Sequence, residues 1–317
     1  MPSRPGRHAA RVAAAANGTE AGSASSHVDL HTHTLRSDGV LEPEALVRVA
    51  ADAGITTLAI TDHDTISAYR DLAAARAIPR TVELISGVEI NALARGIRLA
   101  EGELHILGFG MDPEDEAFED ALRRQRDARR IRFDRTLERL REIGMPIDAQ
   151  LAGLDRTRDD ALGRPTIGRA LTAAGYATSV EDAFKRLIGW GGPGYVQREG
   201  MGPREAIEAI QSAGGVPVLA HFSEAPEQVP LLRELVELGL AGLEVHYIAF
   251  EPETVEAVGA VAVELGLVAT GGSDYHGDTS TYAEAHAALH VPDRVAGAIH
   301  EAIEVAAGSA SRTMPGP

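Results

Sequence analysis

The stretch Thr57-Leu58-Ala59-Ile60-Thr61-Asp62-His63-Asp64 contains the pattern that decides the fold. A mostly apolar run of strand length ends in a cluster of titratable side chains, and helical spacing follows through Ile66–Ala77. The same order begins at Val28–His31 and recurs at Val216–Ala220. Alternating β and α units predict a parallel sheet, open or closed into a barrel, with functional groups at the carboxyl ends of its strands.

The central part of the chain breaks this alternation. It is rich in acidic residues, then arginine, then glycine, and has helical spacing through about Glu119–Ile143 without a run typical of a buried strand. The expected division is a disordered tail at 1–26, a barrel at 27–112 and 201–305, a mostly helical insertion at 113–200 that binds substrate, and a flexible tail at 306–317.

The composition excludes several classes of protein. The absence of cysteine rules out disulfides, zinc–thiolate sites and cysteine nucleophiles, and fits a reducing cytoplasm. A net charge of -17 disfavours binding to a long nucleic acid. No apolar run approaches the ~20 residues that span a bilayer, which disfavours a membrane protein. We therefore expect a cytoplasmic protein whose metals are bound by His, Asp and Glu; no protein partner is predictable.

The first candidate ligands are His31 and His33, which share one face of a predicted strand and so can bind one cation. Asp38 follows in a Ser-Asp-Gly sequence, which by itself is better explained as a plain turn. His63 ends the next strand, where Asp64 or Thr65 is a natural cap for the following helix.

Further candidates follow other predicted strands. Glu89 ends the strand Val82–Ile90 among apolar neighbours, so it requires a cation or, as the runner-up, an arginine. His105 lies on the alternating strand Glu103–Phe109, where a hydrogen-bonded core histidine is the alternative. The remaining candidates are His221, after an apolar strand, and Asp274 and His276, which lie two apart after Leu267–Thr270.

The series as a whole indicates a metal site. Six histidines and three carboxylates fall at or near successive strand ends, namely His31, His33, Asp38, His63, Glu89, His105, His221, Asp274 and His276. A set of nitrogen and oxygen ligands suits Mn²⁺, Zn²⁺ or Fe²⁺. Nine ligands exceed the three or four of a single catalytic zinc, so two or three divalent ions are expected, with Mn²⁺ as the first choice.

Taken together, these motifs resemble the PHP (polymerase and histidinol phosphatase) family. The matching text is Asp29-Leu30-His31-Thr32-His33-Thr34, Ser37-Asp38-Gly39, Thr61-Asp62-His63-Asp64, Gly87-Val88-Glu89-Ile90, Ala220-His221 and Gly272-Ser273-Asp274-Tyr275-His276. The resemblance covers about residues 27–300. It implies a distorted (β/α)₇ barrel, a trinuclear metal site and a metal-dependent phosphoesterase.

The resemblance also implies how the ligands are grouped. His31, His33, Glu89 and Asp274 would bind the first metal, Asp38, His63 and the bridging Glu89 the second, and His105, His221 and His276 the third. His221 and Asp274 are the expected catalytic residues, with His221 or a water as the general acid. The chain departs from the family pattern at Phe222, where Pro is usual, and at His246, where Tyr is more frequent.

Within the family the chain is similar to the branch with an inserted helical domain, which includes 3',5'-nucleoside bisphosphate phosphatases and an exoribonuclease that acts on short RNA 5' ends. The insertion motifs are Arg129-Arg130-Ile131-Arg132, Gly163-Arg164-Pro165 and Gly191-Gly192-Pro193-Gly194-Tyr195. Arg129, Arg132 and Arg164 are the candidate substrate ligands, since arginine suits phosphate oxygens. The alternative for the first two is a solvated charged helix.

The sequence therefore predicts hydrolysis of a phosphate ester of a small phosphorylated nucleotide, with a 3',5'-nucleoside bisphosphate as the expected substrate. A 5'-3' exonuclease on short 5'-phosphorylated oligoribonucleotides is the alternative, as is a phosphatase of histidinol phosphate or of a cyclic nucleotide. A non-catalytic metal- or nucleotide-binding module is the alternative from another class, but every ligand position carries a ligating residue.

Overall fold

Seven strands pair in sequence order around a barrel. The computed structural model describes residues 26–94, 102–154 and 162–313. The strands are β1 Val28–Asp29, β2 Thr57–Ile60, β3 Glu83–Leu93, β4 Glu103–Phe109, β5 Val216–Leu219, β6 Gly242–Tyr247 and β7 Val268–Gly272. The amide of Leu30 donates to the carbonyl of Gly271 at 3.1 Å, and Thr32 bridges to Tyr275, so the last strand returns to the first. The predicted α/β barrel of seven strands is confirmed.

One strand runs against the others, so the expectation of a parallel sheet was wrong at β4. β4 pairs antiparallel with both β3 and β5, whereas the remaining pairs are parallel. The chain from Leu93 to Glu103 is too short for the crossover helix that parallel neighbours need. The amino-terminal half of β4 therefore lies at the barrel edge where the other strands have their carboxyl ends, and it places Glu103 and His105 there.

Helices cover the outside of the barrel and bury one apolar stripe each. The helices of the barrel are α1 Pro43–Asp52, α2 Ser67–Ala75, α6 Pro203–Ser212, α7 Val229–Glu237, α8 Pro252–Leu265, α9 Tyr282–Ala288 and α10 Arg294–Thr313. In α1, proline occupies the first turn, where its missing N–H costs nothing, and Leu46, Val47 and Ala50 lie fully buried at helical spacing. None of the helices within the described ranges has the length and hydrophobicity that crossing a bilayer requires.

The inserted segment is built on one long helix. It contains α3 Glu116–Glu142, α4 Arg164–Ala173 and α5 Val180–Ala183, followed by a π-helical turn at Phe184–Ile188, and its described residues form no strand. The first half of α3 packs Phe118 and Leu122 into the barrel core, while Leu137 and Leu140 of its second half belong to a separate core with α4. One helix thus connects the two cores and extends over the functional edge of the barrel.

The structure describes only part of the two expected tails. The segment 1–25 lies outside the described residues, and the side chain of Ser26 is already buried against Leu289 and Val291. The flexible tail expected from residue 306 was wrong as far as Thr313, because α10 continues to that residue. Alanine, the strongest helix former, is frequent in this stretch, and Ala306 packs against the barrel core.

Candidate active site

All nine side chains predicted as metal ligands converge at one edge of the barrel. Three sets of donor atoms lie close enough to share a cation: His33, Asp38, His63 and His276; His31, His33 and Glu89; and Glu89, His105 and His221. The ninth residue, Asp274, has Oδ1 at 3.3 Å from Nε2 of His31 and 3.2 Å from Nε2 of His33. Glu89 and His33 belong to two sets each and therefore connect them.

The structure changes the grouping that the family resemblance implies. Nε2 of His276 lies 3.2 Å from Asp38, and its ring stacks on His33 at 4.2 Å, so His276 belongs with Asp38 and His63. In its place Glu89 joins His105 and His221, at 2.6 Å and 3.4 Å from their ring nitrogens. The alternative of a core histidine at His105 is wrong, because β4 runs in reverse and brings that ring to the functional edge.

The residues present fit divalent metals on a structural criterion. Five donor atoms are buried without a hydrogen-bond partner: Nε2 of His31 and His33, Nδ1 of His63 and both carboxylate oxygens of Asp38. Buried polar atoms in native structures are almost always paired, and one or more cations would satisfy these five at once. The donor set of imidazole nitrogens and carboxylate oxygens suits Mn²⁺, Zn²⁺ or Fe²⁺.

The electrostatics of the cluster favour positive charge at its centre. Burial alone would raise the pKa of Asp38, but His63 and His276 hold it well below the usual range. Burial would likewise lower the pKa of the two imidazoles, but the carboxylates raise it to about 10 at His63, chiefly through Asp38, and to about 9 at His276. Without metals, protons on these imidazoles balance the negative charge of the carboxylates, and bound metals would displace the protons.

Strained backbone marks the same edge. Asp64, His221 and Asp274 have φ values of 51°, 33° and 48°, which non-glycine residues rarely adopt. Such strain costs of order 1–3 kcal/mol per residue and clusters at functional sites. Gly272 of β7 lies very close to the backbone of His31, since a Cβ at position 272 would lie 2.5 Å from the backbone nitrogen of His31. Only glycine lets β7 lie this near the strand that carries the first ligands.

A β-bulge places at the site one residue that the sequence analysis missed, Tyr247. The register of β6 shifts between Glu244 and His246, so Tyr247 lines the metal-side cavity although it is three residues from Glu244. The hydroxyl of Tyr247 donates to Asp274 at 3.1 Å. His246 pairs with Gly271 of β7 and has a pKa lowered to about 4 by burial and by Arg294. The family more often has tyrosine at position 246, and in this chain the next residue, Tyr247, faces the site.

Glu244 orients a ligand from behind. Its fully buried carboxylate lies 3.1 Å from Nδ1 of His31 and accepts a hydrogen bond from the amide of His221 at 2.8 Å. With Nδ1 held, Nε2 of His31 is directed at Glu89 and Asp274. The signal was present in the sequence, because a carboxylate between apolar strand residues requires a partner here as it does at Glu89.

A cavity rich in arginine adjoins the cluster. It is lined by Arg129 and Arg132 of α3, by Arg164 at the start of α4, and by Arg198. Arg129 and Arg132 are nearly buried, so the alternative of a solvated helix face is wrong for both. Arg198 escaped the sequence analysis because it lies in an irregular segment without a recognisable pattern.

Two acids and one amide hold these arginines. Arg129 donates to Asp64 and to Oδ1 of Asn91, while Nδ2 of Asn91 lies 2.6 Å from Nε2 of His105. Arg198 lies 3.5 Å from the same carboxylate of Asp64. Of the two expected caps of α2, Asp64 was wrong, because its carboxylate binds these arginines, whereas the hydroxyl of Thr65 accepts a hydrogen bond from the amide of Ser67 at 3.2 Å, at the first residue of the helix.

The second acid that holds the arginines is Glu103, which lines the cavity itself. Arg132 and Arg164 lie 3.2 Å and 3.5 Å from its two oxygens. Burial opposes its ionisation, but the arginines, Arg164 first, lower its pKa to about 2. Burial together with Arg164 lowers the pKa of Arg132 to about 10. The four arginines outnumber the three carboxylates beside them, Asp38, Asp64 and Glu103, and this surplus of positive charge suits a phosphate group.

Three further histidines among the described residues lie away from the cluster. His27 pairs with Asp293 at the surface at 3.1 Å, and His300 lies 2.9 Å from Glu83. His286 is buried and bonds to the carbonyl of Ser26. None of the three contributes to the cluster.

Comparison with known proteins agrees with this geometry. The PHP domain model matches residues 29–139. The chain is 34% identical over 255 residues to the 5'-3' exoribonuclease Rnm of Salmonella typhimurium, which covers 78% of this chain and 84% of the relative. It is 30% identical over 267 residues to the 3',5'-nucleoside bisphosphate phosphatase of Chromobacterium violaceum, which covers 79% and 87% respectively.

Solved structures show the same fold. A protein from Bifidobacterium adolescentis, assigned as a metal-dependent phosphoesterase, superposes with a TM-score of 0.72 at 31% identity, covering 86% of this chain and 94% of that one. An amidohydrolase from Chromobacterium violaceum with bound sulfate superposes with a TM-score of 0.75 at 25% identity, covering 89% and 97%. Sequence, fold and site agree: the chain belongs to the PHP-domain family, in the branch of metal-dependent phosphoesterases with an inserted helical domain, and is a hydrolase of phosphate esters.

Proposed function

We propose that the chain is a 3',5'-nucleoside bisphosphate phosphatase. The observation that carries the proposal is the direct contact of two cavities with different chemistry. The metal-side cavity measures about 460 Å³, within the range of small-molecule sites, and the arginine cavity measures about 120 Å³. The two share five lining residues: Asp38, His63, Glu103, His105 and Pro165. A substrate with two phosphates can place one at the metal ligands and the other among the arginines.

The proposed metal ligands are the nine converging side chains, which would hold two or three divalent ions, with Mn²⁺ as the first choice and Zn²⁺ or Fe²⁺ as alternatives. When bound, such ions supply a hydroxide nucleophile and neutralise phosphate oxygens. His221 is proposed as a ligand. Nε2 is the ring nitrogen of His221 that lies near Glu89 and His105, so it is the atom that would bind a metal. A proton donor would need the same atom, so the two roles compete.

Asp274 is the proposed catalytic carboxylate. Its side chain is 20% exposed, so it reaches the cavity while Oδ1 faces His31 and His33. Tyr247 fixes the other oxygen. A carboxylate held in this way can orient the attacking water by accepting a hydrogen bond from it. In the adjoining arginine cavity, Arg132 and Arg164 would bind the second phosphate and so orient the phosphate ester that is cleaved.

The test compares kcat/KM of the Mn²⁺-loaded protein for adenosine 3',5'-bisphosphate, 3'-AMP, 5'-AMP and histidinol phosphate. We expect the bisphosphate to lead by at least about tenfold, because the remote phosphate adds transition-state binding that a monophosphate lacks. A monophosphate in first place would refute the role of the second phosphate.

A second candidate is a 5'-3' exoribonuclease acting on short 5'-phosphorylated RNA. The observation that favours it is Trp190, which is 71% exposed and contacts the ring of Tyr195 at 5.3 Å, next to Arg132. Exposed aromatic rings beside a cationic groove stack unpaired bases. A 5'-phosphorylated dinucleotide cleaved faster than the bisphosphate would favour this candidate.

A further inference from the structure

Glu103 occupies a singular position at the boundary of the two cavities. Its side chain is 8% exposed and lines both of them. Of the other residues shared by the two cavities, Asp38, His63 and His105 are proposed metal ligands and Pro165 has no polar side-chain atom. Glu103 is therefore the polar side chain of this shared boundary that is left to contact whatever part of the substrate crosses it.

The carboxylate is held in place and keeps capacity to accept hydrogen bonds. Nη1 of Arg132 and Nη2 of Arg164 lie 3.2 Å and 3.5 Å from its two different oxygens. The carboxylate thus lies between two guanidinium groups, one at each of its oxygens. Each carboxylate oxygen has two lone pairs, and the arginines use one on each. A third donor entering from the cavity can therefore still bind.

The chemistry of the substrate identifies that donor. When the two phosphates of a 3',5'-bisphosphate occupy the two cavities, the sugar lies between them. Both O3' and O5' are esterified, so the 2'-hydroxyl is the one hydrogen-bond donor left on the sugar. We propose that Glu103 accepts a hydrogen bond from the ribose 2'-hydroxyl and thereby selects ribonucleotides over deoxyribonucleotides. The inference rests on the proposed function and adds a sugar specificity to it.

A purely structural role for Glu103, as the counter-ion of Arg132 and Arg164, makes a different prediction. In that case its replacement would change the binding of ribo and deoxy substrates equally. A 2'-hydroxyl contact changes the ratio between them. The ratio therefore separates recognition of the sugar from support of the arginines.

The experiment measures kcat/KM of the Mn²⁺-loaded enzyme for adenosine 3',5'-bisphosphate and its 2'-deoxy analogue. We expect the ribo substrate to lead by about tenfold or more in the wild type, because a hydrogen bond to a charged group is lost in the analogue. The E103Q variant keeps the shape of the side chain but removes its charge, and its ratio should fall several-fold below the wild-type value, because a neutral amide oxygen accepts a weaker hydrogen bond than a carboxylate. Glu224 is another carboxylate that lines the metal-side cavity, and E224Q, as the matched control, should keep the wild-type ratio.

The outcomes are distinct. A wild-type ratio near one overturns the inference without any variant, so a folding defect in E103Q cannot mask the result. A high wild-type ratio that persists in E103Q assigns sugar recognition to another residue and also overturns it. Turnover of the two bisphosphates at equal rates leaves the proposed function standing, whereas turnover of neither refutes the proposed function and this inference with it.

Discussion

Arg164 is expected to bind substrate without supporting the fold, which makes R164A the most informative variant. The guanidinium is 19% exposed, lies 5.2 Å from the ring centre of Phe184, and contacts Glu103 at 3.5 Å. Its loss leaves Glu103 paired with Arg132 at 3.2 Å. We therefore expect the free energy of unfolding to change by less than about 1 kcal/mol and the metal content to stay unchanged.

The cost should appear in catalysis instead. A charged hydrogen bond to phosphate contributes ~1.5–3 kcal/mol, so kcat/KM for adenosine 3',5'-bisphosphate should fall by roughly 10- to 150-fold. The value for 3'-AMP should stay nearly constant, because this substrate has no phosphate for the arginine cavity.

R129A should behave in the opposite way. Arg129 is buried and donates to Asp64 and Asn91, and Asn91 in turn contacts His105. Asp64 is fully buried and would lose its closer arginine and keep the more distant one, Arg198 at 3.5 Å, whereas Glu103 keeps its closer partner in R164A. Breaking a buried ion pair costs about 3–5 kcal/mol, so we expect a marked loss of stability and weaker metal binding.

The assay combines urea unfolding, elemental analysis and steady-state kinetics on the two variants. R204A serves as control, because Arg204 is 64% exposed on α6 and pairs with Glu208 at 3.6 Å. Equal losses of kcat/KM on bisphosphate and monophosphate in R164A would show that Arg164 does not bind a second phosphate. Equal stability of R129A and R164A would refute the distinction between a buried support and a substrate ligand.

Three further predictions concern the metal cluster. Protein reconstituted with Mn²⁺ should contain more than one equivalent by elemental analysis, since the three donor sets share Glu89 and His33, and one equivalent or less would refute a multinuclear site. E244Q should weaken metal binding about 10- to 100-fold in a competition titration with a chelator, because the amide no longer attracts the proton on Nδ1 of His31; unchanged affinity would remove Glu244 from this role. The pKa is raised from 6.5 to about 10 at His63 and to about 9 at His276. The metal-free protein should therefore lose stability as pH rises from about 6.5 through 9 to 10. Urea unfolding midpoints that do not fall across this range would contradict the prediction.

Much of the site could be predicted because its ligands occupy strand ends with a strong local signature. His31 and His33 are recognisable from strand periodicity alone, and Glu89 and His221 from polar residues that interrupt or end apolar runs. The family resemblance adds Asp38 and the function class. Local patterns of this kind can be recognised in the sequence alone, because each depends on residues within a few positions of one another.

The contacts that complete the site depend on residues far apart in the chain. Asn91 and Arg198 have no motif, and their roles follow from α3 crossing the barrel edge. Tyr247 faces the cavity because of a bulge that simple alternation of side chains does not predict. His276 belongs to the donor set of Asp38 and not to that of His105, because the loop after β7 places its Nε2 3.2 Å from Asp38.

By itself, then, the sequence determined the barrel class, the inserted helical segment, the nine candidate ligands and the acidic, cysteine-free composition that limits the metals and partners. The tertiary structure decided the reversed direction of β4, the sharing of ligands between the three donor sets and the pairing of the arginines with Asp64 and Glu103. The physical reason is that periodicity reports which face a residue occupies, whereas charge pairing across elements depends on how those faces meet.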